Sequence, residues 1–580
     1  MNNNPFGVIH GKNMKQITLK NIDIEANIVD MLAEVKITQT FKNETPETLQ
    51  TEYTFPLISS VAIYKFEVEV DGGKTINGII KESYEANQEF NEAVKQNNNN
   101  SDKRASNNKS DLFQCSIGNL KPFQTTVIKI TYLTELKNDD DIEQVRFVLP
   151  ATFRTPRHKL SKGSFFHKNN NNSECPISII ITCKTTSVIN KIESPSHFIS
   201  TEWNIDGNSK IARISLTKDV QLLDRDFILI IKSKDLDQPR AFLEYNEKTS
   251  SNCIMLTFVP TFSMTTVRSE LVFIVNTSSS MRRDALKFRK TIQSLEFLLY
   301  SLPQDCYFNI ISVEDNHYNT LSDKSHQKSK TIFSKALEFI KNFELEYNYE
   351  ECEACETVDI YEPLKWAIEN SLSDMPSTLF LLTDNNVENR DVNIGDFVGC
   401  ENLIETLTNV GRGYTQFLAT NERIEKKLRG MLRNAVTHPI TDCRLIWTAA
   451  NGEQDVIEEI PALFSGNRFT FYCIEENEAS VNDTLLLTAN SLEGIIELKF
   501  VIENIVLEGN KIHALAAKKL IQSFQDGNSY IHNQNNGYMS EEQIEEEIGS
   551  LSNLYNIATS RTSFLVKDEV NGTLIKGEFL

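Results

Sequence analysis

Apolar and polar residues alternate along the first part of the chain. In Ala33–Phe41 (AEVKITQTF) the apolar side chains fall mainly on one face of an extended chain, and Tyr64–Val70 and Thr125–Tyr132 repeat the pattern. A period of two is typical of strands with one buried face. The pattern predicts a β-rich N-terminal segment with a helical stretch at 81–94. An Asn-rich insert at 96–110 is too hydrophilic to pack and is expected to be disordered.

The pattern changes to alternating strands and helices further along. Short apolar runs predict strands at 271–275, 306–312, 378–382 and 414–418, and apolar residues spaced by three or four predict helices near 284–300, 328–342 and 421–434, with a further helix that Pro363 begins. Such a series predicts a doubly wound, mostly parallel sheet. Its functional loops are expected at the carboxyl ends of the strands.

Strands also occur on both sides of this segment. They are predicted at 177–182 and 227–232 before it and at 444–447, 468–472 and 495–500 after it, followed by a helical tail from about Lys511 and a last strand within 561–566. The fold class is therefore multidomain α/β plus β. We expect five regions: 1–138, β-rich; 139–267, a β-rich connection; 268–436, the doubly wound sheet; 437–508, β-rich; and 509–580, helical and ending in a strand.

Several short motifs in the N-terminal region occur in a recognisable order. They are Gln39–Asn43 (QTFKN), Tyr53–Leu57 (YTFPL), Gly78–Glu82 (GIIKE), Tyr84–Ala86 (YEA) and Phe113–Leu120 (FQCSIGNL). Their order and spacing resemble the VIT domain, the vault and inter-alpha-trypsin-inhibitor module, over about the first 135 residues. The resemblance implies a β-sandwich that carries no chemistry of its own.

A loop of oxygen-bearing side chains follows the first strand of the doubly wound segment. The apolar run 271–275 leads directly into Asn276, Ser278 and Ser280, at positions i, i+2 and i+4. Oxygens placed in this way around one point suit a hard cation such as Mg²⁺. The run resembles the Asp-x-Ser-x-Ser loop of the metal-ion-dependent adhesion site (MIDAS) in von Willebrand factor A (VWA) domains. Here the leading aspartate is replaced by Asn276.

The VWA resemblance implies two further ligands, a threonine and an aspartate from two later loops. Asp384 follows the apolar strand 378–382 and matches the aspartate. In the direct register Val358 occupies the threonine position, and Thr357 can replace it only if the loop shifts by one residue. A site with one carboxylate and neutral oxygens binds Mg²⁺ poorly, because water competes for the ion. We therefore expect no tightly bound cofactor at this altered MIDAS of Asn276, Ser278, Ser280, Thr357 and Asp384, and weak Mg²⁺ binding is left open.

A structural interpretation of the same residues is also available. The polar side chains would hydrogen-bond one another, and Ser280 would lie near the N-cap of helix 284–300.

The segment 385–399 is too short for the helix and strand that a VWA domain usually has there, which predicts the loss of one peripheral helix. Cys352 and Cys355 have the spacing of a zinc or redox pair, but no second pair lies at a matching distance.

Composition narrows the range of partners and compartments. The 580 residues include 59 Lys and Arg against 80 Asp and Glu, for a formal net charge of -21, which argues against nucleic acid as a partner. No apolar run is long enough for membrane insertion. Ten thinly spread cysteines and a polar N-terminus predict a cytoplasmic protein with reduced thiols. The expected partner is a protein of unknown identity.

Three functional hypotheses follow. The first is a non-enzymatic scaffold or interaction protein that uses a VWA loop face without a tightly held metal. The second is a Mg²⁺-dependent, adhesion-type binding module in which a partner carboxylate completes the metal sphere. The third is a hydrolase or nucleotide enzyme on the α/β sheet. No catalytic residues are predicted, because the chain lacks a Gly-x-Ser-x-Gly elbow, a Walker loop and a His-Glu-x-x-His motif.

Overall fold

The fold is that of a computed structural model. It describes residues 7–10, 17–56, 61–70, 74–82, 112–139, 141–150, 176–217, 226–261, 266–315, 317–345, 358–383, 387–388, 404, 407–408, 411, 413, 415–416, 424–437, 440, 443–448, 454–457, 463–475, 484–491, 494–506, 509–527, 540–559 and 562–566.

Strands dominate the secondary structure. The first fifteen are β1 Gly7–His10, β2 Thr18–Val29, β3 Leu32–Lys42, β4 Leu49–Pro56, β5 Val61–Val70, β6 Lys74–Glu82, β7 Leu112–Leu120, β8 Thr125–Glu135, β9 Lys137–Asn138, β10 Gln144–Leu149, β11 Ile177–Lys184, β12 Ile189–Glu193, β13 Ile199–Trp203, β14 Ile211–Leu216 and β15 Phe227–Ser233. The others are β16 Arg240–Asn246, β17 Ser251–Phe258, β18 Glu270–Asn276, β19 Tyr307–Val313, β20 Tyr318–Thr320, β21 His326–Gln327, β22 Val358–Asp359, β23 Ser377–Leu382, β24 Val387–Glu388, β25 Arg444–Thr448, β26 Gln454–Ile457, β27 Phe469–Glu475, β28 Thr484–Ser491, β29 Gly494–Val506 and β30 Thr562–Val566.

The α-helices within the described ranges belong to the middle and the end of the chain. They are α1 Ser279–Arg282, α2 Ala285–Ser301, α3 Lys330–Leu345, α4 Tyr361–Glu369, α5 Glu425–Ala435, α6 Lys511–Gln525 and α7 Glu541–Tyr555. None of the helices in the described ranges combines the length and the apolar character that a membrane crossing requires. The protein is thus a mixed α/β chain in which strands prevail, in agreement with the predicted class.

The N-terminal strands form a large sheet with the order β13-β14-β11-β2-β3-β8-β5-β6-β30. The predicted strands 33–41, 64–70 and 125–132 lie within β3, β5 and β8. Strand β3 shows the expected alternation, with Val35, Ile37 and Phe41 buried. Of the helix predicted at 81–94, Lys81 and Glu82 belong to strand β6 instead, and the remainder lies outside the described residues, as does 96–110.

Hydrogen-bonded pairing crosses the expected domain limits at several places. Strand β11 pairs in parallel with β2, so part of 139–267 extends the N-terminal sheet. Strand β30, at the other end of the chain, pairs antiparallel with β6. A second sheet, β26-β25-β28-β29-β16-β17-β27, combines strands from before and after the VWA-like segment. We refer to everything outside 266–437 as the body.

The VWA-like segment has a sheet with the order β20-β19-β18-β23, in which β18 is parallel to both β19 and β23. Every residue of β18 is buried, because both faces of this sheet are covered. Leu271 and Phe273 pack in the cluster that contains residues of α2, α3 and α5, whereas Val272 and Ile274 pack in the cluster that contains Ala367 of α4. The predicted helices are present at 285–301, 330–345, 361–369 and 425–435. The strand predicted at 414–418 was wrong for Thr415 and Gln416, its described residues, which are not in a strand.

Candidate functional site

The candidate site lies at the carboxyl edge of the VWA-like sheet. We define the loop face as 276–283, 314–315, His317, 358–361 and Thr383. The segments that begin at 276, 314 and 383 lie at the carboxyl ends of β18, β19 and β23, and Val358 and Ile360 pack with Val313 at the end of β19. The register supports this grouping, because Asn276 pairs with Val313 at the ends of β18 and β19. The Thr277 backbone N–H also donates to the Val313 carbonyl at 2.9 Å. Parallel strands thus bring these loops to one edge, as the sequence predicts.

Asn276 uses both ends of its amide. Its Oδ1 accepts from the Ser278 backbone N–H at 3.0 Å, and its Nδ2 donates to Thr383 Oγ1 at 3.2 Å. The orientation follows from Ser278, because a backbone N–H can only donate and therefore must face the amide oxygen. The side chain is 1% exposed. Asn276 thereby joins the first loop to the end of β23.

The hydroxyl groups of the two serines in the loop are hydrogen-bonded to each other. Ser278 Oγ and Ser280 Oγ lie 2.9 Å apart, and the residues are 1% and 3% exposed. The expected mutual hydrogen bonding is therefore present. The expected cap was wrong, because Asp284 is the N-cap of α2 and accepts from the backbone N–H groups of Leu286 and Lys287. The short helix α1 inserts between Ser278 and Asp284 and displaces Ser280 from that position.

Two charged residues of the loop face were not identified from the sequence. Asp315 Oδ1 accepts from the Ser279 backbone N–H and hydroxyl, both at 3.0 Å. Arg282 is buried and donates from Nε to the Thr277 carbonyl and from a terminal nitrogen to the Phe343 carbonyl, each at 2.6 Å. The position of Asp315, just after the end of strand β19, could have identified it from the sequence as a residue of the loop face. No local pattern indicates that Arg282 turns inward.

The second and third loops are described only in part. Thr357 and Asp384 lie outside the described residues. Val358 is 0% exposed and packs with Val272 and Ile274 in an apolar cluster. A threonine at position 358 would therefore place a hydroxyl among aliphatic side chains, where it lacks the polar surroundings of a metal ligand.

The described part of the site does not fit a tightly held Mg²⁺ ion. Segment 276–283 contains no carboxylate and two arginines. The oxygens of Asn276, Ser278 and Ser280 are neutral and already hydrogen-bonded. The Arg282 guanidinium adds a buried positive charge at the Thr277 carbonyl, which opposes a second cation nearby. Among the described residues, no three His, Cys, Asp or Glu side chains converge as a metal-binding group.

The cysteines are thiols wherever the structure describes them. These are Cys115, Cys183, Cys253, Cys306, Cys443 and Cys473. Burial, followed by the nearby Asp30 carboxylate, raises the pKa of the Cys183 thiol to about 12. Cys352 and Cys355 lie outside the described ranges.

A buried Ser-His-Glu chain in the body resembles the geometry of a hydrolase triad. His513 Nδ1 lies 2.8 Å from Glu244 Oε1, and His513 Nε2 lies 3.3 Å from Ser251 Oγ. However, Ser251 is 3% exposed and both other residues are 0% exposed, so a substrate cannot reach the hydroxyl. Glu244 also accepts from the Lys511 and His513 backbone N–H groups at 2.8 and 3.0 Å. The hydrogen bonds among Ser251, His513 and Glu244 therefore connect the N-terminus of α6 to β16 and β17.

Comparison with known proteins agrees with this architecture. Residues 19–132 match the family described as the Vault protein inter-alpha-trypsin (VIT) domain. A von Willebrand factor A domain-containing protein of Dictyostelium discoideum is 26% identical over 95% of this chain and 31% of its own length. Von Willebrand factor A domain-containing protein 5A of Rattus norvegicus is 25% identical over 89% of this chain and 67% of its own length. Protein mono-ADP-ribosyltransferase PARP4 of Homo sapiens is 25% identical over 95% of this chain, which spans 32% of PARP4.

These matches define the class of the protein. It carries a VIT domain and is a homologue of VWA domain-containing proteins, as its motifs predict. The chain spans only about a third of the Dictyostelium relative and of PARP4.

Proposed function

We propose that this protein is a non-enzymatic interaction protein that recognises another protein through the loop face of its VWA-like segment, without a tightly held metal. The carrying observation is the set of hydrogen bonds among Asn276, Ser278, Ser280 and Thr383. These contacts engage the neutral side chains that would otherwise face a metal ion. Binding then depends on the shape and exposed side chains of the loop face.

The exposed residues around the buried loop supply the contact surface. Tyr361, at the start of α4, is 55% exposed, and the His317 side chain is 60% exposed. Tyrosine is enriched in protein interfaces, because it contributes a large apolar area and a hydroxyl at a small cost in conformational entropy. The formal net charge of -21 favours a partner with a basic surface.

The two alternatives have weaker support. In a Mg²⁺-dependent module a partner carboxylate would have to reach the metal position, yet Asn276 and Ser278 are each 1% exposed. A hydrolase would need an accessible nucleophile, and Ser251 is buried. The ADP-ribosyltransferase name belongs to PARP4, of which this chain spans 32%. A cytoplasmic location stays a prediction.

A capture experiment tests the proposal. Tagged protein is used to isolate partners from cells in EDTA and in Mg²⁺, and the captured proteins are quantified by mass spectrometry. We expect the same specific partner in both buffers and a loss of at least about fivefold with Tyr361→Ala. The matched control is Tyr245→Ala, because Tyr245 is 50% exposed but lies on β16 of the body. Recovery only in Mg²⁺ would support the adhesion-type module, and equal loss in both variants would place the interface elsewhere.

A further inference from the structure

The VWA-like segment is an insertion into the body. Strands β17 and β25 belong to the same seven-stranded sheet, and the segment occupies the chain between them. Its two connections run side by side. Thr266 and Thr437 form an isolated antiparallel bridge, and the Val267 backbone N–H donates to the Val436 carbonyl at 2.7 Å. Two adjacent connections of this kind have the geometry of a hinge.

A buried group of charges forms a second contact between the insertion and the body. Asp139 Oδ1, beside strand β9, accepts from Arg146 of β10 at 3.0 Å and lies 3.5 Å from Lys427 Nζ of helix α5. The side chains of Asp139, Arg146 and Lys427 are 2%, 7% and 4% exposed. Removing such ions from water is unfavourable, and their mutual attraction offsets only part of that cost. The contact therefore contributes less to stability than its short distances imply.

Unsatisfied polar groups gather around the same contact. Asn434 lies two helical turns after Lys427 on α5, on the side away from the apolar residues Leu428 and Leu432. Both polar atoms of the Asn434 side chain are buried, and neither makes a hydrogen bond within the described residues. Asn138 Oδ1 is in the same situation, although Asn138 Nδ2 donates to the Gly466 carbonyl at 3.1 Å. Each such atom has lost its hydrogen bonds to water without gaining a protein partner, which destabilises the closed arrangement.

A third residue with an unsatisfied buried atom lies beside this contact on the body. Arg468 donates from a terminal nitrogen to the Ile142 carbonyl at 3.3 Å, and its Nε has no partner among the described residues. Burial, together with the nearby Arg240, lowers the pKa of Arg468 to about 10. The closed contact between α5 and the body thus keeps charged and polar groups away from water, which would otherwise hydrogen-bond to them.

We infer that helix α5 and the β9–β10 hairpin form a reversible latch, and that the VWA-like segment swings about the 266/437 bridge when this latch opens. The latch is polar on both sides, whereas the apolar residues of α5 remain within the VWA-like core. Opening therefore hydrates Asn434, Lys427 and Asp139 and leaves that core intact. The latch, when closed, fixes the orientation of the loop face relative to the body, and its opening changes that orientation.

Thiol accessibility in the full-length protein tests the latch. Asn434→Cys introduces a thiol at a position that is 4% exposed, and its rate of alkylation is measured by peptide mass spectrometry. We expect Lys427→Glu to accelerate that rate at least about tenfold, because it places a carboxylate next to Asp139. Lys335→Glu is the control, since it makes the same charge change at an exposed position of helix α3 and should leave the rate unchanged. Lys427→Arg keeps the positive charge next to Asp139 and should keep alkylation slow.

Cys115 provides the internal reference for global unfolding. It is 1% exposed in the core of the body, so its alkylation must stay slow while position 434 becomes reactive. Small-angle scattering of the Lys427→Glu variant should show a larger maximum dimension. The inference is overturned if Lys427→Glu leaves the rate at position 434 unchanged. It is equally overturned if Cys115 accelerates in parallel, because the contact would then be an integral part of one cooperative fold.

Discussion

Asn276 decides the character of the loop through its charge and not through its shape. Its Oδ1 faces the Ser278 N–H, and an aspartate oxygen would take the same hydrogen bond. Its Nδ2 faces Thr383 Oγ1, a hydroxyl that can also donate to a second carboxylate oxygen. An aspartate can therefore make both of these hydrogen bonds, and it adds one negative charge.

The sequence predicted some of these residue-level features and missed others. It placed Asn276, Ser278 and Ser280 together, because spacing along one loop fixes their proximity. It did not predict that Arg282 turns inward, because the Phe343 carbonyl that receives it lies 61 positions away in the sequence. The same holds for Glu244 and His513, which meet across 269 positions.

The first residue-level prediction concerns the buried triad geometry. A fluorophosphonate probe modifies activated serines that a substrate can reach. Because Ser251 is 3% exposed, we expect no labelling of the folded protein, and the variant Ser251→Ala should give the same background signal. Stoichiometric labelling that Ser251→Ala abolishes would contradict the structural role of this chain and revive the hydrolase hypothesis.

At the scale of elements, periodicity predicted most strands and helices but not their partners. Strand β3 and helix α2 follow from periods of two and of 3.6, which are local properties. The pairing of β11 with β2 and of β30 with β6 joins distant parts of the chain. Several strands have unpaired edges of similar hydrophobic pattern, so the pattern alone does not determine which strands pair with one another.

Strand β30 yields a prediction of its own. Removing residues 560–580 deletes β30 and leaves β6 as an open edge, whereas removing 567–580 keeps the strand. The deletion also removes Thr562 Oγ1, which lies 3.0 Å from the buried hydroxyl of Ser552. Each lost hydrogen bond costs about 0.5–1.5 kcal/mol. We expect a Tm lower by several degrees and faster aggregation for the longer truncation alone, measured by calorimetry and light scattering. Equal behaviour of both truncations would mean that the β6 edge does not depend on β30.

At the scale of the whole molecule, the body is assembled from both ends of the chain and the VWA-like segment is inserted between them. The loop face then projects from a segment that is joined to the body by paired connections and by α5. The proposed function and the latch together predict a contact surface whose orientation changes without unfolding and which recognises its partner without a tightly held metal.

Thermal unfolding of the intact protein with and without divalent ions tests the central claim most directly. A ligand that binds only the folded state stabilises it by mass action, about 2.7 kcal/mol at a hundred times its Kd. We predict that 10 mM Mg²⁺ or Mn²⁺, compared with EDTA, leaves the Tm of the wild-type protein unchanged. Asn276→Asp supplies the missing charge and should gain metal-dependent stabilisation, with Asn276→Asp/Ser278→Ala as the control that loses it again. A wild-type Tm that rises with Mg²⁺ as much as that of Asn276→Asp would contradict recognition by a metal-free loop face.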